Sequence, residues 1–254
     1  MKNPKNLFKA GLKAGSHQFG IWNSIGESGV TEMLGNAGYD WVMIDCEHSP
    51  IEATAALPAL QALAAYPQTS AAVRVAGNDT VLIKRVLDMG AQTIMVPYVE
   101  SRAEAQAAVD AMRYGPRGIR GMAGMTRATR FGQVEDYFTT AEEELCLIVQ
   151  VETAKGMAAL EEISGVDGVD AVFIGPADLS ASMGYPGQFD HPEVVKTIEQ
   201  AFDRCKKIGM PLGLMDLDVT AAKRWIALGS SFTAVAVDQV LLSAAIRNLR
   251  AEFA

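Results

Sequence analysis

The amino-acid sequence predicts an α/β fold, a closed (β/α)8 barrel (TIM barrel) that forms a single domain over residues 1–254. Eight short runs rich in Val, Ile and Phe alternate along the chain with segments of helical period. The runs are apolar throughout rather than at every second residue, which is typical of parallel strands buried on both faces. No break in composition divides the 254 residues, and that length suits one such barrel.

The predicted strands and helices follow one another in the order that this barrel requires. The strand-like runs are 17–22, 40–45, 70–75, 93–99, 145–152, 170–175, 210–216 and 232–237. Helices are predicted between them at 51–65, 79–89, 101–112, 155–163, 191–208, 218–228 and 239–252. An amphipathic helix near the N-terminus is expected to cover one end of the core. Segment 113–144 has no such pattern, and a loop of that length in a compact barrel is usually functional or interfacial.

Residues with capping chemistry mark the ends of several predicted helices. Side chains that accept hydrogen bonds from the first helical N–H groups stand at Asp79, Ser101 and Asp218. Glycines, which tolerate the left-handed backbone that often ends a helix, stand at Gly90, Gly209 and Gly229.

An open, doubly wound sheet is the alternative fold. Such a sheet normally has fewer strands at this length. Its phosphate-binding motif G-x-G-x-x-G is also missing after the first strand, where the chain has WNSIGESG.

The composition narrows the possible partners and the compartment. The formal net charge is −8 without a block of Lys or Arg, so nucleic acid and anionic membranes are poor candidate partners. No apolar run approaches the ~20 residues of a membrane span. The three cysteines include no C-x-x-C pair, which suits a reducing cytosol, and the N-terminal segment lacks the apolar stretch of a secretory signal. We therefore expect a cytoplasmic protein that acts on small molecules.

Ionisable and polar side chains collect where the predicted strands end. In such barrels the catalytic groups lie at the carboxyl ends of the strands. The residues at or just after these ends are Trp22, Asp45, Glu47, His48, Arg74, Gln150, Glu152, Asp178, Asp216 and Asp238. We expect them to converge on one mouth. For Asp216 and Asp238, capping of the next helix is an equally good explanation.

Glu152 and Asp178 are the candidate metal ligands. Glu152 ends an almost wholly apolar strand, where a carboxylate without a cation would be costly. Asp178 follows the neighbouring strand. Two carboxylates without a nearby Cys or His suit a hard divalent ion that keeps positions for water and substrate, and Mg²⁺ or Mn²⁺ is expected. An ion pair with Arg74 is the competing explanation.

His48, Asp45 and Arg74 are the candidate catalytic residues. A lone histidine is usually structural, but Asp45 stands three residues earlier and could accept from one ring nitrogen, leaving the other as a base. Arg74 offers a planar fork for a carboxylate or an oxyanion. Base, metal and arginine together indicate enolate chemistry.

Two other kinds of barrel chemistry are disfavoured. A Schiff-base aldolase needs a desolvated lysine inside the barrel, but the lysines lie in the N-terminal segment, on predicted helices, or at Lys155 just after the fifth strand. A phosphosugar enzyme would offer glycine-rich loops after strands seven and eight, where this chain has DLD and DQV. We therefore expect an unphosphorylated substrate.

Several segments, taken in order, closely resemble the metal-dependent class II pyruvate aldolases. These hydroxy ketoacid aldolases include 4-hydroxy-2-oxoheptane-1,7-dioate aldolase and 2-dehydro-3-deoxyglucarate aldolase. The segments are FGIW, DWVMIDCEHSP, VRV, MVPYVES, RYGPRGIRG, VQVETAKGM, GVDAVFIGPADLSASMGYPG and VAVDQVLL. The likeness covers nearly the whole chain. It departs at Gly115, where a second proline is frequent, and at LMDLD, which bears on aldehyde preference.

The resemblance implies a carbon–carbon lyase that reversibly cleaves 4-hydroxy-2-oxo acids to an aldehyde and pyruvate or a hydroxypyruvate-like donor. It implies Glu152 and Asp178 as ligands of Mg²⁺, Mn²⁺ or Co²⁺, and Arg74 as the residue that binds the pyruvate oxygens. It implies His48, oriented by Asp45, as the acid–base group. The residues implied beside the substrate are Trp22, Gln150, Pro176 and Ala177. It also implies a homo-hexamer, a trimer of dimers that exchange their last helix.

Two alternative functions remain open. A citryl- or malyl-CoA type of lyase would need a basic surface near the mouth, and only the arginines of segment 113–130 could supply it. A non-catalytic barrel that acts as a binding protein is the other alternative. The presence of His48, Arg74, Glu152 and Asp178 together argues against it.

Overall fold

In the computed structural model, which describes residues 1–253, eight parallel strands close into a barrel. Each strand pairs with the next one in the sequence, and the eighth pairs with the first. The strands are β1 (Gln18–Asn23), β2 (Trp41–Asp45), β3 (Ser70–Arg74), β4 (Thr93–Val96), β5 (Cys146–Val151), β6 (Ala171–Ile174), β7 (Leu212–Met215) and β8 (Phe232–Val237). The predicted (β/α)8 barrel is therefore confirmed.

Helices surround this barrel and connect its strands. They are α1 (Leu7–Ala14), α2 (Ser28–Asn36), α3 (Ala56–Leu63), α4 (Thr80–Asp88), α5 (Arg102–Met112), α6 (Tyr137–Glu144), α7 (Ala154–Ala158), α8 (Leu160–Ser164), α9 (Pro176–Ser182), α10 (Pro192–Ile208), α11 (Val219–Leu228) and α12 (Asp238–Ala251). The sequence did not predict α2, α6 or α9, and the helix predicted at 155–163 is divided into α7 and α8.

The predicted helix ends are confirmed. Asp79 accepts hydrogen bonds from two N–H groups of the first turn of α4, and Ser101 and Asp218 cap α5 and α11 in the same way. The glycines that follow α4, α10 and α11 have positive φ angles of 92°, 69° and 113°. These local rules fix where each helix begins and ends, and therefore where the strand-to-helix turns of the mouth lie.

The inside of the barrel is filled by aromatic and sulfur-containing side chains. Phe8 of α1 enters from the end where the strands begin, and its ring centroid lies 5.9 Å from that of Trp41 and 5.2 Å from that of Phe232. All three side chains are fully buried. The predicted lead-in helix thus covers this end of the core, and the polar site can form only at the opposite end.

The arginine-rich segment 113–130 lies at the end of the barrel where the strands begin. Arg113 and Arg117 form ion pairs with Glu142 and Asp167. Arg120 is buried and forms an ion pair with Asp88 at the end of α4. Further along, the Arg127 guanidinium donates to the backbone carbonyl oxygens of Met89 and Leu60. These contacts indicate a structural clamp on the side of the barrel opposite the mouth.

The last helix, α12, lies on the surface with only its first residue, Asp238, buried. Large apolar side chains of this helix are about half exposed or more, namely Val240, Leu241, Leu242, Ile246 and Leu249. Within residues 1–253, no helix combines the length and the apolar character needed to cross a lipid bilayer.

Candidate active site

The strand ends and the start of α9 bring the predicted site residues together around one mouth. Asp45 and Arg74 are direct partners in the register of β2 and β3. Glu152 follows β5, and Asp178 lies in the first turn of α9, after β6. The charges of Asp178 and Glu47 both act on Glu152, so these carboxylates share one electrostatic environment.

Arg74 is the centre of a buried ion-pair cluster. Its Nε and Nη2 atoms donate to the two oxygens of Asp45 at 2.8 and 2.7 Å, and its Nη1 lies 2.9 Å from Glu47 Oε2. The guanidinium also lies over the Trp22 ring, 5.3 Å from the centroid. Burial alone would raise the pKa of Asp45, but the hydrogen bonds and charge of Arg74 lower it. The fork of Arg74 is therefore held in a fixed orientation.

The expected hydrogen bond between Asp45 and the His48 ring is absent from the described residues, and that part of the prediction is wrong. Both oxygens of Asp45 face Arg74, and Asp45 Oδ1 also accepts from the backbone N–H groups of Glu47 and His48 at 3.1 and 3.4 Å. The His48 side chain is 62% exposed, and its Nε2 lies 3.9 Å from Glu47 Oε2. Asp45 thus orients the backbone of this turn and Arg74, while Glu47 is the carboxylate nearest to the imidazole.

Glu152 is almost completely buried, with 1% of its surface exposed. Its Oε1 accepts from the backbone N–H of Tyr98 at 2.9 Å, and its Oε2 accepts from the side-chain amide of Gln150. Burial raises the pKa of this carboxyl to about 7; the charges of Asp178 and Glu47 add to that effect, and the Tyr98 N–H opposes it. Glu152 is therefore a buried carboxylate that forms no ion pair with a Lys, Arg or His side chain among the described residues.

Asp178 and Glu152 both accept a hydrogen bond from Tyr98. The hydroxyl of Tyr98 donates to Asp178 Oδ1 at 2.7 Å. The ion pairs of Arg74 go to Asp45 and Glu47. The competing explanation, in which Arg74 neutralises Glu152 or Asp178 by direct contact, does not hold.

The donor set fits a hard divalent cation. The charges of Glu47 and Asp178 both act on Glu152, and the nearby arginine is already paired, so this part of the mouth carries excess negative charge. Within residues 1–253, His, Cys, Asp and Glu form no metal-binding group of three or more. A pair of carboxylates leaves several coordination positions for water and substrate, which suits Mg²⁺ or Mn²⁺ better than a structural zinc.

Three buried polar atoms at the mouth lack a hydrogen-bond partner within the described chain. They are Trp22 Nε1, a donor, Gln150 Oε1, an acceptor, and Glu47 Oε2, which forms only the ion pair with Arg74. Gly175 lies against the same residues: a Cβ at this position would meet Gln150 Nε2 at 2.9 Å and overlap Glu152 Oε2. The unpaired atoms are available to a bound substrate, and the glycine keeps the space that Glu152 and Gln150 occupy.

Pro176 and Ala177 open α9 and border an apolar cavity of about 480 Å³ beside the mouth. Its other walls are Phe189, Ile198, Leu214, Met215, Asp216, Leu217, Asp218 and Trp225. The segment LMDLD, whose effect on aldehyde preference was raised above, forms one side of this cavity.

Asp216 and Asp238 both have structural contacts, but neither is the N-cap residue of the next helix, which is Asp218 for α11 and Val237 for α12. Asp216 accepts from the Trp225 indole at 2.9 Å and from the N–H of Asp218 at 3.0 Å. Asp238 accepts from the backbone and hydroxyl of Ser24 and from the N–H of Ile25, and so holds the loop after β1.

Sequence reasoning did not assign roles to Glu47, Tyr98 and Gly175. Glu47 is adjacent to the predicted pair, but its contact with Arg74 depends on how β2 and β3 align. The only local signal at Tyr98 is Pro97, which argues against a continuous strand. For Gly175, the signal is a glycine directly between a strand and a helix.

Comparisons with known proteins place the chain in a family. The sequence profile of the HpcH/HpaI aldolase/citrate lyase family matches residues 18–245. A pyruvate aldolase from Rhizobium etli is 52% identical over the full length of both chains. A hydroxypyruvate/pyruvate aldolase from Sagittula stellata is 49% identical, again over both full lengths. A crystal structure of an HpcH/HpaI aldolase/citrate lyase family protein from Burkholderia cenocepacia superposes with a TM-score of 0.94 and 37% identity, covering 98% of this chain and 99% of that one.

Proposed function

The chain belongs to the HpcH/HpaI aldolase/citrate lyase family, and from that membership and the geometry of its mouth we propose how it acts. It is a carbon–carbon lyase, an aldolase that releases pyruvate from a 4-hydroxy-2-oxo acid. The observation that carries the proposed mechanism is the buried carboxylate of Glu152, joined to Asp178 through Tyr98 and placed beside the fixed guanidinium of Arg74.

Glu152 and Asp178 hold a divalent cation, Mg²⁺ or Mn²⁺, with Co²⁺ as a possible substitute. When bound, the cation supplies Lewis acidity that stabilises the negative oxygen of the pyruvate enolate. The excess negative charge around Glu152 is relieved by such a cation, which supports this assignment.

Arg74 holds the pyruvate oxygens. Two of its N–H groups donate to Asp45, and Nη1 is close to Glu47 only as an ion pair, so the remaining N–H groups are available to a ligand. Because the ion pair with Asp45 fixes the plane of the guanidinium, the arginine is oriented before the substrate arrives. Asp45 is thus a positioning residue for Arg74 in this mechanism.

His48 is the acid–base group. Its exposed ring can meet a substrate proton, and its Nε2 lies 3.9 Å from Glu47 Oε2. In the cleavage direction His48 takes the proton of the 4-hydroxyl group as the C3–C4 bond breaks and the aldehyde leaves. Return of a proton to the methylene carbon of the enolate then gives pyruvate. In the synthetic direction His48 returns the hydroxyl proton to the new alkoxide.

The remaining predicted residues bind the substrate. Pro176 has no N–H of its own, so the backbone amides of Ala177 and Asp178 receive the carboxylate of pyruvate. Gln150 and Trp22 contribute the unpaired polar atoms described above. A hydroxypyruvate-like donor would use the same contacts.

The position of the arginines argues against a CoA-ester lyase. The arginines of 113–130 that could bind CoA phosphates lie at the opposite end of the barrel, and Arg113, Arg117 and Arg120 are paired with carboxylates. The mouth itself is acidic.

We also propose that the protein is a cytoplasmic homo-hexamer, a trimer of dimers that exchange α12. The half-exposed apolar side chains of this helix support the exchange, because burying them requires another surface.

The cation is tested with chelator-treated protein. We expect loss of aldol cleavage after chelation and recovery with Mn²⁺ or Mg²⁺, whereas Glu152→Gln and Asp178→Asn should not recover. Asp79→Asn is the matched control, because it neutralises a carboxylate at the same end of the barrel and can still cap α4. Full activity in excess chelator would disprove the cation mechanism.

A further inference from the structure

Tyr98 lies between the two proposed cation ligands and contacts both. Its backbone N–H donates to Glu152 Oε1 at 2.9 Å, and its hydroxyl donates to Asp178 Oδ1 at 2.7 Å. Glu152 follows β5 and Asp178 follows β6, whereas Tyr98 follows β4. One residue therefore links the ends of three neighbouring strands at the point where the cation is proposed to bind.

The backbone at Tyr98 is shaped for this contact. Its φ angle of 53° lies in the left-handed region, which residues with a side chain seldom adopt. The other described non-glycine residues with positive φ are Arg130, Phe131 and Asp136, all in one segment away from the mouth. Unusual backbone angles of this kind persist where the surrounding structure holds them, often at functional sites.

The neighbours of Tyr98 explain how its N–H becomes available. Pro97 has no N–H to continue the β4–β5 ladder. At Val99 the pairing resumes, since its N–H donates to Gln150 O at 3.0 Å. The N–H of Tyr98, between these two positions, is outside this ladder and donates to Glu152.

We propose that Tyr98 is a positioning residue that sets the side-chain geometry of Glu152 and Asp178 for the cation. This inference rests on the proposed function. Within the described chain, the Tyr98 hydroxyl is the one side-chain donor to Asp178, and it occupies Oδ1 while leaving Oδ2 for the ion. Hydrogen bonds that orient metal-binding carboxylates are typically worth about 10–100-fold in metal affinity.

The test measures Mn²⁺ binding to the chelator-treated protein by isothermal titration calorimetry. We expect Tyr98→Phe, which removes only the hydroxyl, to weaken Mn²⁺ binding by about 10–100-fold. Tyr98→Gly should lose a similar amount, because it also lacks the hydroxyl although glycine adopts the left-handed backbone without strain. Tyr185→Phe is the control, since the Tyr185 ring stacks on His191 away from these carboxylates. Its Mn²⁺ affinity should equal that of the wild type.

Melting curves of the metal-free proteins separate positioning from a general structural role. We expect Tyr98→Phe to melt close to the Tyr185→Phe control without metal and to gain less stability when Mn²⁺ is added. Mn²⁺ affinity of Tyr98→Phe equal to that of the wild type would overturn the positioning role alone, provided that Asp178→Asn loses binding. Absence of Mn²⁺ binding in the wild type would overturn the proposed cation site and, with it, the role of Tyr98.

Discussion

Gly175 offers a perturbation of the site that changes no charge and removes no hydrogen-bonding group. Its φ of −94° is accessible to any residue, so Gly175→Ala creates no backbone strain. The added methyl would lie 2.9 Å from Gln150 Nε2, 3.0 Å from Glu152 Cβ and closer still to Glu152 Oε2. The substitution therefore acts on Glu152 and Gln150 by displacement alone.

The size of the effect follows from these distances. Ordinary contact for a Cβ begins at 3.4 Å, so the Glu152 carboxylate must retreat. A displacement of about 1 Å in a positioned group can reduce turnover by about 10²-fold. Overpacking of a buried site costs about 1–3 kcal/mol of folding stability, which a barrel of this size can lose and remain folded. We expect a large loss of activity with a modest loss of stability.

The assay is the exchange of the pyruvate methyl protons in D₂O, without any aldehyde, measured beside a melting curve. Gly77→Ala is the matched control, because Gly77 lies at the same end of the barrel and nothing stands within 4 Å of its added Cβ. Exchange at the control rate in Gly175→Ala would refute the reasoning, since the Glu152 carboxylate would then tolerate displacement.

Two further predictions concern the charges of the mouth. The effects of Asp45→Asn and Arg74→Gln on the free energy of unfolding should be coupled by about 0.5–3 kcal/mol, because the two side chains share one buried ion pair. His48→Ala should lower the rate by about 10²–10⁴-fold, and its effect on stability should add to that of Asp45→Asn. Urea unfolding of the double mutants measures the coupling, and additivity of the Asp45 and Arg74 changes would contradict it. The pKa of Glu152 is raised from 4.5 to about 7, so the metal-free protein should lose stability as the pH rises through that window. Glu152→Gln should abolish this loss, and at pH 8 the variant should be more stable than the wild type by on the order of 1–3 kcal/mol. Equal melting temperatures for wild type and variant across this range would contradict the prediction.

The architecture could be predicted from the sequence because its signals are local. Continuous apolar runs predict buried parallel strands, and the caps Asp79, Ser101 and Asp218 depend only on the next three residues. By contrast, α2 contains Gly29 and Gly35, which weaken helix propensity, so its helical state depends on packing around Leu34. Whether such a segment is helical depends on its tertiary contacts, which the local sequence does not reveal.

The site residues could be predicted from their positions at the strand ends, but the side chains with which they form hydrogen bonds and ion pairs could not. The spacing of Asp45 and His48 suggested a pair, yet Arg74 on the adjacent strand lies directly beside Asp45 in the sheet and takes both of its oxygens. A buried arginine offers two parallel charge-assisted hydrogen bonds, and one exposed imidazole cannot compete with them. Similarly, β4 was predicted to reach residue 99 because the run is apolar, but Pro97 ends it at Val96.

The burial of the three tryptophans gives the protein an optical signal of its own. Trp22, Trp41 and Trp225 are all at most 4% exposed, so their native fluorescence should be blue relative to that of the unfolded chain. Trp41 lies deep inside the barrel, and Trp225 stacks on Phe202 outside it. Trp22 alone adjoins the guanidinium of Arg74. Because Trp225 borders the cavity beside the mouth, a change of emission on adding pyruvate is assigned to Trp22 by its loss in Trp22→Phe. Occupancy of the mouth could then be titrated without label or coupling enzyme.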